Sequence, residues 1–229
     1  RCTTVLSGVA PWTLAGLMGE QDRSPERPTG AQLKINLLLE RLPTWKSGID
    51  PTVAFGGTLH LDESYTQLQK AYGEASLGTL PTLPPGEFYC HSLTDPSVLD
   101  DLAGMDVHTL SYFGLHLHEN LFVGPDGGDN RAEAVRRVLA SIGQHLVEPI
   151  GECIALDADN ELCIEVKFPS DVEKDLGMPG GHIFHGDLAW PWAPNRARLD
   201  SPAQRWGVAT DLPNVLLCED GYAVDLVDG

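Results

Sequence analysis

Apolar and polar positions divide the chain into short strands and helices separated by turns. From Gln32 to Glu40, Leu33, Ile35, Leu37 and Leu39 fall on one face, and Lys34, Asn36, Leu38 and Glu40 on the other. That alternation predicts a strand buried on one side. His108 to Leu117 repeats it: His108, Leu110, Tyr112, Gly114, His116 and, just beyond, His118 oppose Thr109, Ser111, Phe113, Leu115 and Leu117, which puts three histidines on one face. Phe88 to Leu93 reads as a further strand after the turn-rich TLPTLPPGE. Glu152 to Leu156 and Leu162 to Val166 read as a hairpin closed through Asp157–Glu161.

The period changes elsewhere. Val5 begins a short strand that turns at Gly8 into a helix with Pro11 in its first turn. Asp62 is placed to cap a helix with Tyr65, Leu68 and Tyr72 at helical spacing, ending before Gly78. Thr94, Asp95 and Pro96 open a short helix that stops near Gly104. Asp129 or Asn130 opens the longest one, with Ala134, Val135, Val138, Leu139, Ile142 and Leu146 as its apolar stripe. Ser170 and Glu173 have the spacing of a capping box for a helix that Gly177 ends. The sum is an α+β fold, a mixed or antiparallel sheet of about five or six strands with helices on one side.

Composition narrows the class. With 229 residues and 42% hydrophobic content the chain can bury a sizeable core, and 24 Gly with 17 Pro match its many turns. Fifteen basic against 33 acidic residues give −18, which opposes binding to nucleic acid and to anionic membranes. No apolar run reaches the ~20 residues of a membrane span. Cys2, Cys90, Cys153, Cys163 and Cys218 are odd in number and widely spaced without a CxxC pair. They read as thiols in a reducing compartment, and the expected location is cytoplasmic.

One stretch stands apart, Met178 to Trp192, MPGGHIFHGDLAWPW. Gly180 and Gly181 allow a close backbone approach or a positive φ, and Pro179 and Pro191 stiffen the two ends. Together with QLKINLLLERLPTW, PPGEFYCHSLTDPSVL and RWGVATDLPNVLLC, the run LGMPGGHIFHGDLAWPWAPN resembles the phytoene dehydrogenase-related FAD-dependent oxidoreductases. These belong to the phytoene desaturase and flavin amine oxidase superfamily, which includes the pyridine nucleotide-disulphide oxidoreductase domain-containing protein 2 type. The resemblance spans Val5 to Cys218 and corresponds to the C-terminal, substrate-binding half of a family member.

That resemblance implies residues 1–20 as a strand and helix at the junction with a flavin domain, residues 31–218 as a substrate-binding domain, and residues 219–229 as a diverged tail. The GxGxxG turn that holds the FAD pyrophosphate in the family does not occur in the sequence. Glu219 and Asp220 stand where the family continues into glycines that meet the flavin, and their charge repels phosphate. FAD is therefore expected only with a partner domain or chain.

Candidate chemistry gathers at His182, His185 and Asp187, where imidazoles beside a carboxylate suit proton transfer. The resemblance places this region near substrate and flavin, with Gly180 and Gly181 towards the cofactor. Alternatively, both histidines hydrogen-bond the backbone and pin the loop. Trp190, Trp192 and Phe184, with Tyr112 and Phe88, are the candidate lining for an apolar substrate; Tyr65, Tyr72, Tyr89 and Phe113 either extend that lining or are ordinary core. The HxH pair His116 and His118, with His108 further along and Glu119 adjacent, has no CxxC or HExxH nearby, and the acidic turn at Asp157, Asp159 and Glu161 lacks the glycine and distal glutamate of an EF-hand, so no metal ligands are assigned.

Three functions follow as expectations. The first is the substrate-binding portion of an FAD-dependent desaturase-like or dehydrogenase-like oxidoreductase for an apolar small molecule, working with a flavin-domain partner chain. The second is a flavin-free isomerase, cyclase or lyase using the same histidines. The third is a non-catalytic oligomeric binding protein. A homo-oligomer is the expected state.

Overall fold

Strand β1 (Val5–Ser7) leads into helix α1 (Pro11–Met18), whose first turn contains the expected proline and which ends at Gly19 in a left-handed conformation. The computed structural model describes residues 2–19, 26–186 and 200–218. The chain divides into two units, one formed by Arg1–Gly30 with Val172–Gly229, the other by Ala31–Asp171.

The Ala31–Asp171 unit holds a five-stranded sheet. Its strands are β2 (Leu33–Leu39), β3 (Leu59–Leu61), β4 (Gly86–Tyr89), β5 (His108–Gly114) and β6 (Ile164–Lys167). They lie in the order β3-β4-β5-β2-β6, every neighbouring pair antiparallel. The short helix α2 (Pro51–Ala54), then α3 (Tyr65–Ser76) and α4 (Gly127–Gly143) complete the unit. The fold is α+β.

The alternation read in β2 is what makes the core. Leu33, Ile35, Leu37 and Leu39 pack in one cluster with Phe88, Leu110 and Tyr112 of the neighbouring strands, Ala75 of α3, and Ala134, Val138 and Ile142 of α4. The opposite face is polar: Ser111 Oγ donates to Asn36 Oδ1 (2.8 Å) and Asn36 Nδ2 donates to Glu165 Oε2 (2.8 Å). These three residues stand in cross-strand register on β5, β2 and β6. The sheet therefore carries helices on one side and a polar row on the other.

Several boundaries depart from the periodicity. β5 ends at Gly114; Leu115 N–H turns to Pro85 O (2.9 Å), His116 takes φ 58°, and Leu117 is buried with its N–H on Ala31 O (2.9 Å). Burying Leu117 takes His116 and His118 off the strand face that His108 occupies. α3 is capped by Ser64, whose Oγ accepts from Gln67 N–H (3.3 Å), and not by Asp62. Its buried side is Ala71 and Ala75, while Tyr65 and Tyr72 are exposed, because small side chains let the helix approach the sheet.

β4 stops at Tyr89, and His91–Leu93 forms a 3₁₀ turn. Glu152–Leu156 joins the sheet only through single bridges, Leu39 to Ile154 and Leu156 to Leu162. Helix α5 (Pro169–Leu176) starts one residue before the expected cap. Asp171 Oδ2 accepts from Phe168 N–H (2.9 Å), and Ser170 Oγ instead accepts from Arg131 Nη2 (2.5 Å).

The other unit contains β1, α1, helix α6 (Pro202–Arg205) and strand β7 (Val215–Leu217). β1 and β7 pair in parallel, Val5 with Val215 through Ser7 with Leu217. Ser201 and Gln204 form a complete capping box at α6. Leu14, Val215 and Leu217 form its described core, with Met18 and Val208 packed against them. No helix among the described residues is long and apolar enough to cross a membrane.

Candidate functional site

Gly177 ends α5, its N–H on Glu173 O (2.8 Å), and delivers the chain into one 3₁₀ turn, Pro179–Gly181. Gly180 and Gly181 both have positive φ, 60° and 65°. A Cβ on Gly180 would lie 2.0 Å from Pro28 O, and one on Gly30 would lie 2.5 Å from Gly181 O. Gly30 N–H donates to Gly180 O (2.8 Å). The body that the two glycines admit so closely is the chain's own Pro28–Gly30 segment. Gly181 N–H is committed to Met178 O (2.9 Å).

His182 follows and is buried. Its N–H donates to Pro179 O (3.2 Å), and its Nδ1 accepts from Phe184 N–H (3.3 Å). With Nδ1 an acceptor, the neutral ring carries its proton on Nε2. His185 has φ 64° and donates its N–H to His182 O (3.1 Å). Phe184 is half-exposed and meets the His182 ring edge-on at 6.4 Å. His182, Phe184 and His185 are thus brought together by backbone hydrogen bonds; Asp187, Trp190 and Trp192 lie outside the described residues.

The remaining candidates separate by face. Phe88 and Tyr112 are fully buried core rings 4.9 Å apart, and Tyr112 Oη donates to Pro85 O (3.0 Å). Burial pushes the Tyr112 pKa far up, so it stays a neutral hydroxyl. Tyr89 and Phe113 lie half-buried on the open face of the sheet. Phe88 and Tyr112 in the core, Tyr89 and Phe113 on the open face, and the exposed Tyr65 and Tyr72 therefore do not form one lining. At the HxH pair, burial and then the neighbouring His118 hold the His116 pKa below its ordinary value. Asp157 Oδ1 accepts from Asp159 N–H (2.9 Å) and Glu161 N–H (3.0 Å), so this carboxylate holds its own turn.

A constellation missed in the sequence lies on the open face at the β3–β4 edge. His60 on β3 stands opposite Glu87 on β4, and Glu63 follows two residues after β3. His60 Nδ1 is 2.5 Å from Glu63 Oε2 and 3.4 Å from Glu87 Oε1. Asp62 makes this possible by taking φ 59°, and its carboxylate is tied to Ser141 Oγ of α4. Tyr89 Oη donates to Glu87 Oε2. The Glu63 hydrogen bond, against some burial and with the charges of both glutamates, raises the His60 pKa; the bond to Glu87 raises that of Tyr89. The i, i+3 pair His60 and Glu63 is visible in the sequence, but Glu87 joins only through strand register.

No protein-family model matches the chain. It is similar to an uncharacterized protein of Mycobacterium bovis and to one of Mycobacterium tuberculosis, each 44% identical over 219 residues and covering 95% of this chain. The chain spans 40% of the length of those relatives. It is also similar, at 27% identity over 166 residues and 68% of its length, to the rat pyridine nucleotide-disulfide oxidoreductase domain-containing protein 2, of which it covers 26%. The chain thus has distant similarity to a protein with an oxidoreductase domain.

Proposed function

We propose that this chain forms part of the substrate-binding portion of an FAD-dependent oxidoreductase acting on an apolar small molecule. The observation that carries the reading is the similarity to the rat oxidoreductase-domain protein over 68% of the chain. The large exposed apolar side chains of the smaller unit support it: Leu6 is 67% exposed, Leu17 75% and Trp206 78%. Such side chains suit a surface that further protein covers.

The described residues do not fit FAD as its own cradle. Gly180 and Gly181 are occupied by Pro28–Gly30, and the Gly181 N–H that would face a phosphate bonds Met178 O. Flavin is assigned to another domain or chain, which would supply the redox chemistry. In this reading His182 is a positioning residue that holds the loop, Phe184 offers an apolar surface, and His185 and Asp187 are the groups that would handle a proton.

A chimera tests the reading. The Mycobacterium tuberculosis relative, with its matching segment replaced by this chain, is purified beside the unaltered relative, and both visible spectra are recorded. Flavin absorption in both proteins is the expected result. A colourless relative, or a folded chimera that loses the flavin its parent retains, would sink the assignment.

A further inference from the structure

We infer that His60, Glu63 and Glu87 form a binding site for one divalent first-row transition-metal ion, on the open face of the sheet and independent of any flavin. One ligand atom from each residue lies within 4.8 Å of the other two. Ligands held at about 2.0–2.2 Å in tetrahedral or octahedral array stand about 3.0–3.5 Å from one another. The 3.4 Å from His60 Nδ1 to Glu87 Oε1 already has that spacing, and the 2.5 Å to Glu63 Oε2 needs only a small opening.

A further observation points to a cation. Glu63 Oε1 is buried and has no hydrogen-bond partner. A carboxylate oxygen taken from water without a donor is costly, and a cation gripped by both oxygens of Glu63 would supply what is missing. A divalent ion that displaces the proton shared with His60 would neutralise the two neighbouring carboxylates.

The surroundings are arranged as a metal site requires. Tyr89 Oη holds Glu87 Oε2, which leaves Oε1 directed to His60. Glu63 and Glu87 side chains are 15% and 28% exposed, while His60 is 57% exposed. The open side lies at the imidazole, where an ion enters and water completes its coordination. One imidazole with two carboxylates selects ions of the manganese-to-zinc series over thiolate-seeking ones.

The test is a titration of the 229-residue chain with Mn²⁺ at near-physiological salt, free ion being read from its paramagnetic resonance signal. Mn²⁺ is the probe because Cys2 and Cys218 are exposed thiols that compete for Zn²⁺. One equivalent is expected to bind, weakened about tenfold or more in Glu63→Gln and His60→Ala. His60→Ala removes an exposed side chain and leaves the core untouched. A His116→Ala/His118→Ala variant is expected to bind as the parent does. Three results overturn the site: no bound equivalent, equal binding by parent and both site variants, which would show only the ion atmosphere of the acidic chain, or loss confined to the His116/His118 variant.

Discussion

The unit from Ala31 to Asp171 packs long aliphatic and aromatic side chains between a five-stranded sheet and its helices, whereas the described core of the other unit is Leu14, Val215 and Leu217 with Met18 and Val208. The second unit relies more on backbone. Its two chain segments meet through the β1–β7 ladder, through Val5 N–H on Asn214 O (2.8 Å), through Cys218 N–H on Ser7 O (2.8 Å), and through Gly30 against Gly180. A side-chain core is sensitive to lost volume, while interleaved backbone is sensitive to any added atom. The residue types that matter therefore differ between the two units.

The largest effect is expected for Phe88→Ala, which empties a fully buried ring position beside Tyr112. Its cost should be about 3–5 kcal/mol, read by denaturant unfolding together with faster hydrogen exchange in β2 and β5. A loss below about 1 kcal/mol would mean that the sheet core collapses around the cavity.

Next comes Gly180→Ala. A non-glycine residue at this left-handed position costs about 1–2 kcal/mol, and the overlap with Pro28 O adds to it. Gly30→Ala separates the two contributions, because Gly30 has no positive φ and it is opposed by close approach alone, to Gly181 O (2.5 Å) and Gly180 O (2.6 Å). Exchange at β1 and β7 should speed up in both variants. If neither variant moves it, the glycine contact does not hold the two chain segments together.

Ser201→Ala removes the capping box of α6 and should cost about 1 kcal/mol, seen as a lower unfolding midpoint. Ser201→Asp, which keeps a capping oxygen, should recover most of it.

The smallest effect belongs to the surface of α4. The hydrogen bonds from Arg136 and then Arg137 pull the Glu133 carboxyl down to about 2. A folded-state pKa below the unfolded one gives stability that is full above the ordinary glutamate range and is lost as pH falls towards 2. Glu133→Gln should therefore weaken the pH dependence of unfolding in that acid window, and added salt should shrink the difference because the pairs are solvent-screened. An acid limb that is steeper in the variant would reverse the sign.

Much of the sheet was legible because its cause is local. Leu33 to Leu39 alternates every second residue, and that alone fixes which face is buried. Helix α4 and the ends at Pro11 and Gly177 follow equally from a few neighbouring residues. His116 and His118 misled because the alternation continues past the point where Gly114 ends the strand and Leu117 turns inward. Tyr65 and Tyr72 misled because hydrophobicity favours large rings, whereas Ala71 and Ala75 fit the space beneath α3.

For the sites the division is similar. Gly180 and Gly181 announced a close approach in the sequence, yet only the fold identified Pro28–Gly30 as what approaches. His182 stands out in the sequence as an imidazole near a carboxylate, yet only the fold commits its Nδ1 to the Phe184 amide.

The sequence by itself determined the α+β class, the buried face of β2, the proline and glycine ends of its helices, and the acidic balance. Each depends on interactions reaching no more than a few residues along the chain, or on composition alone. The tertiary structure decided the strand order β3-β4-β5-β2-β6, the parallel pairing of the two chain ends, and the meeting of His60 and Glu63 with Glu87. Those contacts join residues far apart in sequence, and their register is set by the packing of the whole sheet.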